Sequence, residues 1–216
     1  MDGAPESLAE KDNPVDPPGL PGRIGPWTRL SGREIYDNPW IRVREDQVLH
    51  PDGSPGIYGT VHFKNIAVGV VPIDAQGRVI LVGQHRYPFD RYFWEIPEGG
   101  CPIGKETPEA SAARELREET GYAAARWDYL GTVELSNSTT DEHGHLYLAR
   151  ELSPGPVQHD ASEEIAVKRV DFQEAFRMAM EGGINESISV IALARARHFL
   201  ERESAGSPLR IAREAP

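Results

Sequence analysis

The segment from Thr107 to Gly121 carries both end signals of an α-helix and is the strongest constraint on how this chain folds. Thr107 followed by Pro108 is typical of a helix start, because threonine caps free N–H groups and proline suits the first helical position. Glycine commonly follows a helix, since it adopts a left-handed conformation without steric cost, and Gly121 is placed to do so. The sequence therefore predicts a helix of about 12 residues between these ends.

One face of this predicted helix is acidic. At about 100° per residue, Glu115, Glu118 and Glu119 fall within an arc of roughly 100°. The opposite face is apolar and carries Ala110, Ala113 and Leu116. Each close pair of like charges destabilises the helix by about 0.2–0.5 kcal/mol. A bound hard dication such as Mg²⁺ would make the same arrangement favourable. Most acidic helix faces are simply exposed to solvent. The residues around the helix must therefore decide between a solvated face and a metal site.

The rest of the chain predicts mostly strands before this helix and strands followed by two helices after it. Short apolar runs bounded by turn residues indicate a small N-terminal β unit, with strands at 33–48 and 57–63, and then a buried hairpin from Ile66 to Arg86. Glu98-Gly99-Gly100 reads as a turn. Strands are expected near 92–96, 127–133, 145–150 and 165–172, and helices near 173–181 and 187–202. This order favours an α+β fold with a mixed sheet.

Composition excludes several classes of protein. The chain has 216 residues and a net charge of −11, which argues against nucleic acid as a partner because phosphate contacts need clustered Lys and Arg. With Cys101 alone, no intramolecular disulfide can form. The longest apolar run, Ile66 to Ile73, is far short of the roughly 20 residues of a membrane helix, and the first residues do not resemble a secretory signal. We therefore expect a cytoplasmic protein without a membrane partner.

Four segments are predicted from these shifts in composition. Residues 1–26 are Pro-rich and polar and are expected to form a flexible tail. Residues 27–64 form the N-terminal β unit. Residues 65–203 form the main domain, and residues 204–216 a second flexible tail.

The residues around the acidic helix match a family signature at every position. Gly100, Glu106, Arg114-Glu115-Leu116, Glu118-Glu119 and Gly121-Tyr122 follow the spacing G-x5-E-x7-R-E-U-x-E-E-x-G-U, in which U is apolar. The chain therefore resembles the Nudix hydrolases, and most closely their ADP-ribose and nucleotide-sugar pyrophosphatase branch, from about Trp27 to Leu200. The resemblance implies a Nudix-type α/β/α sandwich with the signature on a loop–helix–loop.

The resemblance also implies a metal site. Glu115 and Glu119 would be the main ligands of Mg²⁺, with Mn²⁺ as an alternative, and the carbonyl oxygen of Gly99 would complete the set. Glu118 would be a further ligand or a supporting base, and Glu98 is an additional metal contact to consider. Arg114 would orient a carboxylate through a charge-assisted hydrogen bond, and Glu106 would support the loop.

In this branch the general base often comes from a separate acidic loop. The matching segment contains Glu163, the first candidate, and Glu164, the second. The resemblance implies a role in dimerisation and substrate recognition for the N-terminal β unit. Trp40 and Tyr58 in this unit resemble the aromatics that stack on the base of the nucleotide, often from opposite subunits of a domain-swapped homodimer. The competing role for both residues is packing in the core or in the dimer. Arg86 resembles the arginine that reaches the diphosphate with a bidentate fork.

The implied reaction is Mg²⁺-dependent attack of water on a pyrophosphate that links a nucleoside to a sugar, giving a nucleoside monophosphate and a sugar phosphate. Ser138 stands where many ADP-ribose enzymes carry proline, so nucleotide sugars such as GDP-mannose are open beside ADP-ribose. A Nudix enzyme for nucleoside triphosphates or dinucleoside polyphosphates and a non-enzymatic nucleotide sensor are competing interpretations. The complete carboxylate set favours an enzyme.

Overall fold

A computed structural model of the chain describes residues 21–156 and 164–206. Two compact units meet in the sequence between Val61 and His62. Within the described residues, no helix is both long enough and apolar enough to cross a membrane.

The first unit contains a four-stranded sheet in the order β1-β2-β3-β4. Its strands are β1 (Gly22–Ile24), β2 (Trp27–Asp37), β3 (Ile41–Leu49) and β4 (Pro55–Phe63). The expected single strand at 33–48 is wrong, because the chain reverses at Asn38 and the two halves pair antiparallel. The Asn38 side chain accepts hydrogen bonds of 2.8 Å from the N–H groups of Trp40 and Ile41, which closes this turn. The sheet also begins at Gly22, before the boundary at 27.

The second unit contains two sheets and three α-helices within the described residues. A mixed sheet has the order β8-β5-β10-β9, and an antiparallel sheet has the order β11-β6-β7. The strands are β5 (Asn65–Pro72), β6 (Arg78–Arg86), β7 (Arg91–Glu95), β8 (Glu98–Pro102), β9 (Tyr122–Glu134), β10 (His143–Pro154) and β11 (Ala166–Asp171). The helices are α1 (Pro108–Thr120), α2 (Phe172–Glu181) and α3 (Ser187–Ser204). These agree with the predicted helices to within two residues at each end.

Strand β5 is covered on both faces, and this makes the unit a sandwich. Val68 and Val70 are fully buried in a cluster with Leu116 of α1. On the other face, a Cβ added to Gly69 would lie 2.5 Å from Ile188 of α3. Side chains alternate between the faces of a strand, so these neighbours place α1 and α3 on opposite sides of the sheet. The predicted α+β sandwich with a mixed sheet is confirmed.

The expected turn at Glu98-Gly99-Gly100 is wrong, because these residues belong to strand β8. Gly99 pairs with Val68 and Gly100 with Ala67 in an antiparallel ladder. Glycine suggested a turn by its conformational freedom, but here it serves close packing. A Cβ at Gly99 would lie 2.1 Å from the carboxyl carbon of Glu115. The chain enters α1 from this strand, which brings the strand backbone beside the acidic face of the helix.

Leu116 anchors the acidic helix, and its replacement tests this packing. The side chain is fully buried in the cluster against β5. We expect Leu116→Ala to lower the free energy of unfolding by about 2–5 kcal/mol, because the side chain leaves a cavity. Urea denaturation measures this change. Arg117→Ala, at an exposed position on the same helix, is the control, and an equally large loss there would contradict the assignment.

Candidate active site

Helix α1 begins and ends where the sequence predicts. The Thr107 hydroxyl accepts a 3.2 Å hydrogen bond from the Ala110 N–H, and Pro108 is the first helical residue. Gly121 adopts the left-handed conformation with φ 74° and donates its N–H to the Arg117 carbonyl. The two caps fix where the helix begins and ends.

The Arg114 guanidinium donates hydrogen bonds to four acceptors within the signature segment. Its Nη1 donates to Glu115 Oε1 at 2.8 Å and to Glu118 Oε2 at 2.9 Å. Nη2 donates to the Gly100 carbonyl at 2.9 Å, and Nε to Glu106 Oε2 at 3.3 Å. The guanidinium therefore joins the helix, the strand and the loop between them. The orienting role that the resemblance implies for Arg114 stays a prediction.

Glu106 holds the loop against the helix. Its Oε2 accepts a 2.6 Å hydrogen bond from the hydroxyl of Ser111, a fully buried residue in the first half of α1. This bond is the main reason that the pKa of Glu106 is lowered, and the Arg114 guanidinium lowers it further. Glu106 is thus an ionised carboxylate tied to α1 by two donors.

Three of the predicted metal-site residues come together at the start of β8. The Glu115 carboxylate lies against the Gly99 backbone, so closely that only glycine fits there. Glu119 is buried, and its Oε2 accepts a 3.1 Å hydrogen bond from the Glu98 N–H. These donors are all oxygen atoms, the chemistry that Mg²⁺ and Mn²⁺ prefer. Among residues 21–156 and 164–206, no three or more His, Cys, Asp or Glu side chains are grouped as a ready metal site, and Arg114 binds Oε1 of Glu115 and Oε2 of Glu118.

Arg86, predicted to reach a diphosphate, is held at the end of β6 by two carboxylates. Its Nε lies 3.0 Å from Glu95 Oε1 and its Nη2 2.6 Å from Glu95 Oε2, a bidentate pair. Nη2 also contacts Glu98 Oε1. Glu95 is fully buried, and Arg86 is the cation that partners it. Glu95 was not predicted from the sequence, although an acid between the apolar residues Trp94 and Ile96 signals a buried partner.

The region around Arg86 holds more acid than base. Burial raises the pKa of Glu98 well above its ordinary value, and the negative charge of Glu186 adds to this. Glu98 Oε2 is buried without a hydrogen-bond partner within the described part of the chain. Burial, followed by Glu186 and Asp141, likewise raises the pKa of Glu142. Glu186 was not predicted from the sequence either. Its carboxylate caps α3 by accepting hydrogen bonds from the N–H groups of Ile188 and Ser189.

The remaining candidates are Trp40 and Tyr58 in the first unit, and Glu163 and Glu164, which precede β11 in the sequence. Within the first unit, Trp40 is 65% exposed, whereas Tyr58 packs edge-on against Trp27 with ring centroids 5.2 Å apart. Glu163 lies outside the described residues. Glu164 is described and is exposed at the approach to β11.

Two family models match consecutive parts of the chain. The model of the NUDIX domain matches residues 63–190, and the model of the nucleoside diphosphate sugar hydrolase N-terminal domain matches residues 27–61. The two matches divide the chain close to the boundary between the two units.

Individual relatives extend over most of the chain. ADP-ribose pyrophosphatase of Mycobacterium tuberculosis is 32% identical over 164 residues, which cover 74% of this chain and 78% of that protein. ADP-ribose pyrophosphatase of Bacillus subtilis is 33% identical over 166 residues, 76% of this chain and 89% of that protein. The crystal structure of an ADP compounds hydrolase has the same fold, with a TM-score of 0.74 and 21% identity over 82% of this chain and 95% of that one. On the signature, the sandwich and these matches, the chain belongs to the Nudix family of hydrolases.

Proposed function

We propose that this protein hydrolyses the pyrophosphate bond of ADP-ribose or of a nucleotide sugar, giving a nucleoside monophosphate and a sugar phosphate. The observation that carries the proposal is the carboxylate face of α1, which Arg114 holds against the Gly99 and Gly100 backbone. The names of the bacterial relatives support ADP-ribose as the substrate. The match of the first unit to a nucleoside diphosphate sugar hydrolase domain supports nucleotide sugars as well.

The proposed cofactor is Mg²⁺, with Mn²⁺ as an alternative. Glu115, Glu119 and the Gly99 carbonyl would hold it, with Glu118 as a further ligand. The oxygen donors of Glu115, Glu119 and Gly99 support a cation in this region. A bound dication would polarise the phosphate oxygens and lower the pKa of bound water. Arg114 keeps the carboxylates close together by offsetting part of their mutual repulsion.

The other side chains of the site have separate proposed roles. Glu95 holds Arg86 by its Nε edge, so the guanidinium is restrained where it would bind the diphosphate. Glu163 would accept the proton of the attacking water, with Glu164 or Glu118 as the next candidates. Trp40 and Tyr58 would stack on the base in a homodimer of cytoplasmic chains. The exposed indole of Trp40 supports its part in this proposal.

Replacing a single carboxylate tests the proposed metal site. We expect Glu119→Gln to lower turnover of ADP-ribose by on the order of 10²-fold or more, because the amide is neutral and a poorer metal ligand. Phosphatase-coupled phosphate release, with ADP-ribose and GDP-mannose as substrates and with and without Mg²⁺, measures this. Glu109→Gln changes an exposed acid of the same helix and should retain full turnover.

Two results would contradict the proposal. Near-normal turnover by Glu119→Gln at saturating Mg²⁺ would exclude the metal-site assignment. A folded wild-type protein that hydrolyses no pyrophosphate would instead favour a nucleotide sensor.

Arg114→Lys tests whether Arg114 acts by orienting the carboxylates or only by its positive charge. Lysine keeps the positive charge but cannot donate in the directions of all four acceptors. We expect activity at fixed Mg²⁺ to fall about 10- to 100-fold, with a higher Mg²⁺ concentration for half-maximal rate. Arg117→Lys, at an exposed position of α1, is the matched control. An unchanged Mg²⁺ dependence in Arg114→Lys would argue against the orienting role.

Paired variants identify the general base. We expect Glu163→Gln to reduce kcat strongly while metal binding, followed by calorimetry, is largely kept, because the group accepts a proton rather than holding the ion. Glu164→Gln should change kcat little. The reverse pattern would assign the base to Glu164, and full activity in both variants would leave Glu118 as the candidate.

A further inference from the structure

Ile96 and Pro97 carry the chain from the antiparallel sheet to the mixed sheet. The ladder between β6 and β7 ends at Glu95, and the ladder between β5 and β8 begins at Glu98. Proline has no N–H, and the Pro97 carbonyl accepts a 2.9 Å hydrogen bond from the Val70 N–H. Of the two residues in this crossing, only Ile96 can therefore donate a backbone hydrogen bond.

Ser189, in the first turn of helix α3, binds this donor. Its Oγ accepts a 3.0 Å hydrogen bond from the Ile96 N–H, and both residues are fully buried. A buried N–H without a partner is costly, because it has lost its hydrogen bond to water. The turn that carries Ser189 is itself fixed by the Glu186 cap, which accepts from the Ser189 N–H. Helix α3 therefore holds the crossing between the two sheets through one side chain.

The crossing separates the two acids that hold Arg86. Glu95, directly before it, is the bidentate partner of the guanidinium, and Glu98, directly after it, contacts the same group. The Glu98 N–H also donates to Glu119, and the next residue, Gly99, belongs to the proposed metal site. A shift of the crossing would therefore move the proposed diphosphate contact and the proposed metal site together.

Apolar packing also holds the crossing, but less precisely. The Ile96 side chain belongs to the core cluster that includes Ile188 and Leu193. Hydrophobic contacts are not directional, whereas a hydrogen bond restricts both the distance and the angle of its donor. Catalytic groups must be held to within about 0.5 Å of their productive positions. The apolar core can thus keep the protein folded while the hydrogen bond sets where the backbone lies.

We propose that Ser189 is a positioning residue for the reaction and acts through the Ile96 N–H on the groups at both ends of the crossing. This inference rests on the proposed function. The Ser189 side chain is fully buried, so it acts on the substrate only through the backbone that it holds. Loss of the hydroxyl should therefore weaken the binding of the diphosphate and of the metal together, and should change the rate of the bound complex much less.

Ser189→Ala removes the acceptor and leaves the Ile96 N–H buried without it. We expect KM for ADP-ribose and the Mg²⁺ concentration for half-maximal rate each to rise about 5- to 10-fold, with kcat changed less than about threefold. Hydrogen exchange of the Ile96 amide, followed by NMR, should become at least about tenfold faster because its bond is lost. This second measurement does not depend on activity.

Three variants of α3 are the controls. Ser189→Thr keeps a hydroxyl and should return all three values to near those of the wild type. Ser187→Ala removes an exposed hydroxyl of the same turn and should leave them unchanged. Leu193→Val shortens a fully buried side chain and lowers stability without removing a hydrogen bond of the crossing, so KM and the Mg²⁺ dependence should stay as in the wild type.

Four outcomes would overturn the inference. These are an unchanged KM and Mg²⁺ dependence in Ser189→Ala, unchanged exchange of the Ile96 amide, equal effects of Ser189→Ala and Leu193→Val, and a Ser189→Thr variant that behaves like Ser189→Ala. Should Ser189→Ala not fold, Ser189→Cys, with a weaker acceptor, takes its place in the same measurements. A wild type that hydrolyses no pyrophosphate would refute the proposed function instead, and calorimetric affinity for ADP-ribose in the wild type and Ser189→Ala would still decide whether Ser189 positions the site.

Discussion

The contacts of Arg114 are the interaction on which the rest of the site depends. Glu115, Glu118 and Glu119 repel one another on one helix face, a cost that the helix itself does not offset. Arg114 lies among them and also binds the Gly100 carbonyl and Glu106. A planar guanidinium can serve several acceptors at once, so a single side chain ties the helix to the strand and loop before it.

The packing of the sandwich sets how close helix α1 lies to strand β8. Leu116 buries the apolar face of α1 against β5, and the opposite face of β5 packs against α3. Strand β8 pairs with β5, which brings Gly99 beneath the Glu115 carboxylate. A larger residue there would separate strand and helix, so the glycine is required by packing, independently of its backbone conformation.

A second arginine, Arg86, forms ion pairs with a different set of carboxylates. Glu95 is fully buried and bidentate to it, and Glu98 shares the same guanidinium. Burial raises the pKa of Glu98, and the negative charge of Glu186 raises it further. Part of the acid surplus behind the net charge of −11 thus lies around Arg86.

The sequence by itself determined the helix α1, its two caps, its acidic face and the family, because these depend on neighbours within a few residues and on a fixed spacing. It also predicted Arg114 as an orienting residue from the signature. It did not reveal the strand at Glu98–Pro102, since glycine favours turns locally and only the pairing with β5 overrides this preference. Nor did it reveal Glu95, which binds Arg86 from the paired strand β7, or Glu186, which acts on Glu98 from the start of α3. Only the tertiary structure decides such partners, because the free energy of a buried charge depends on which groups surround it in space.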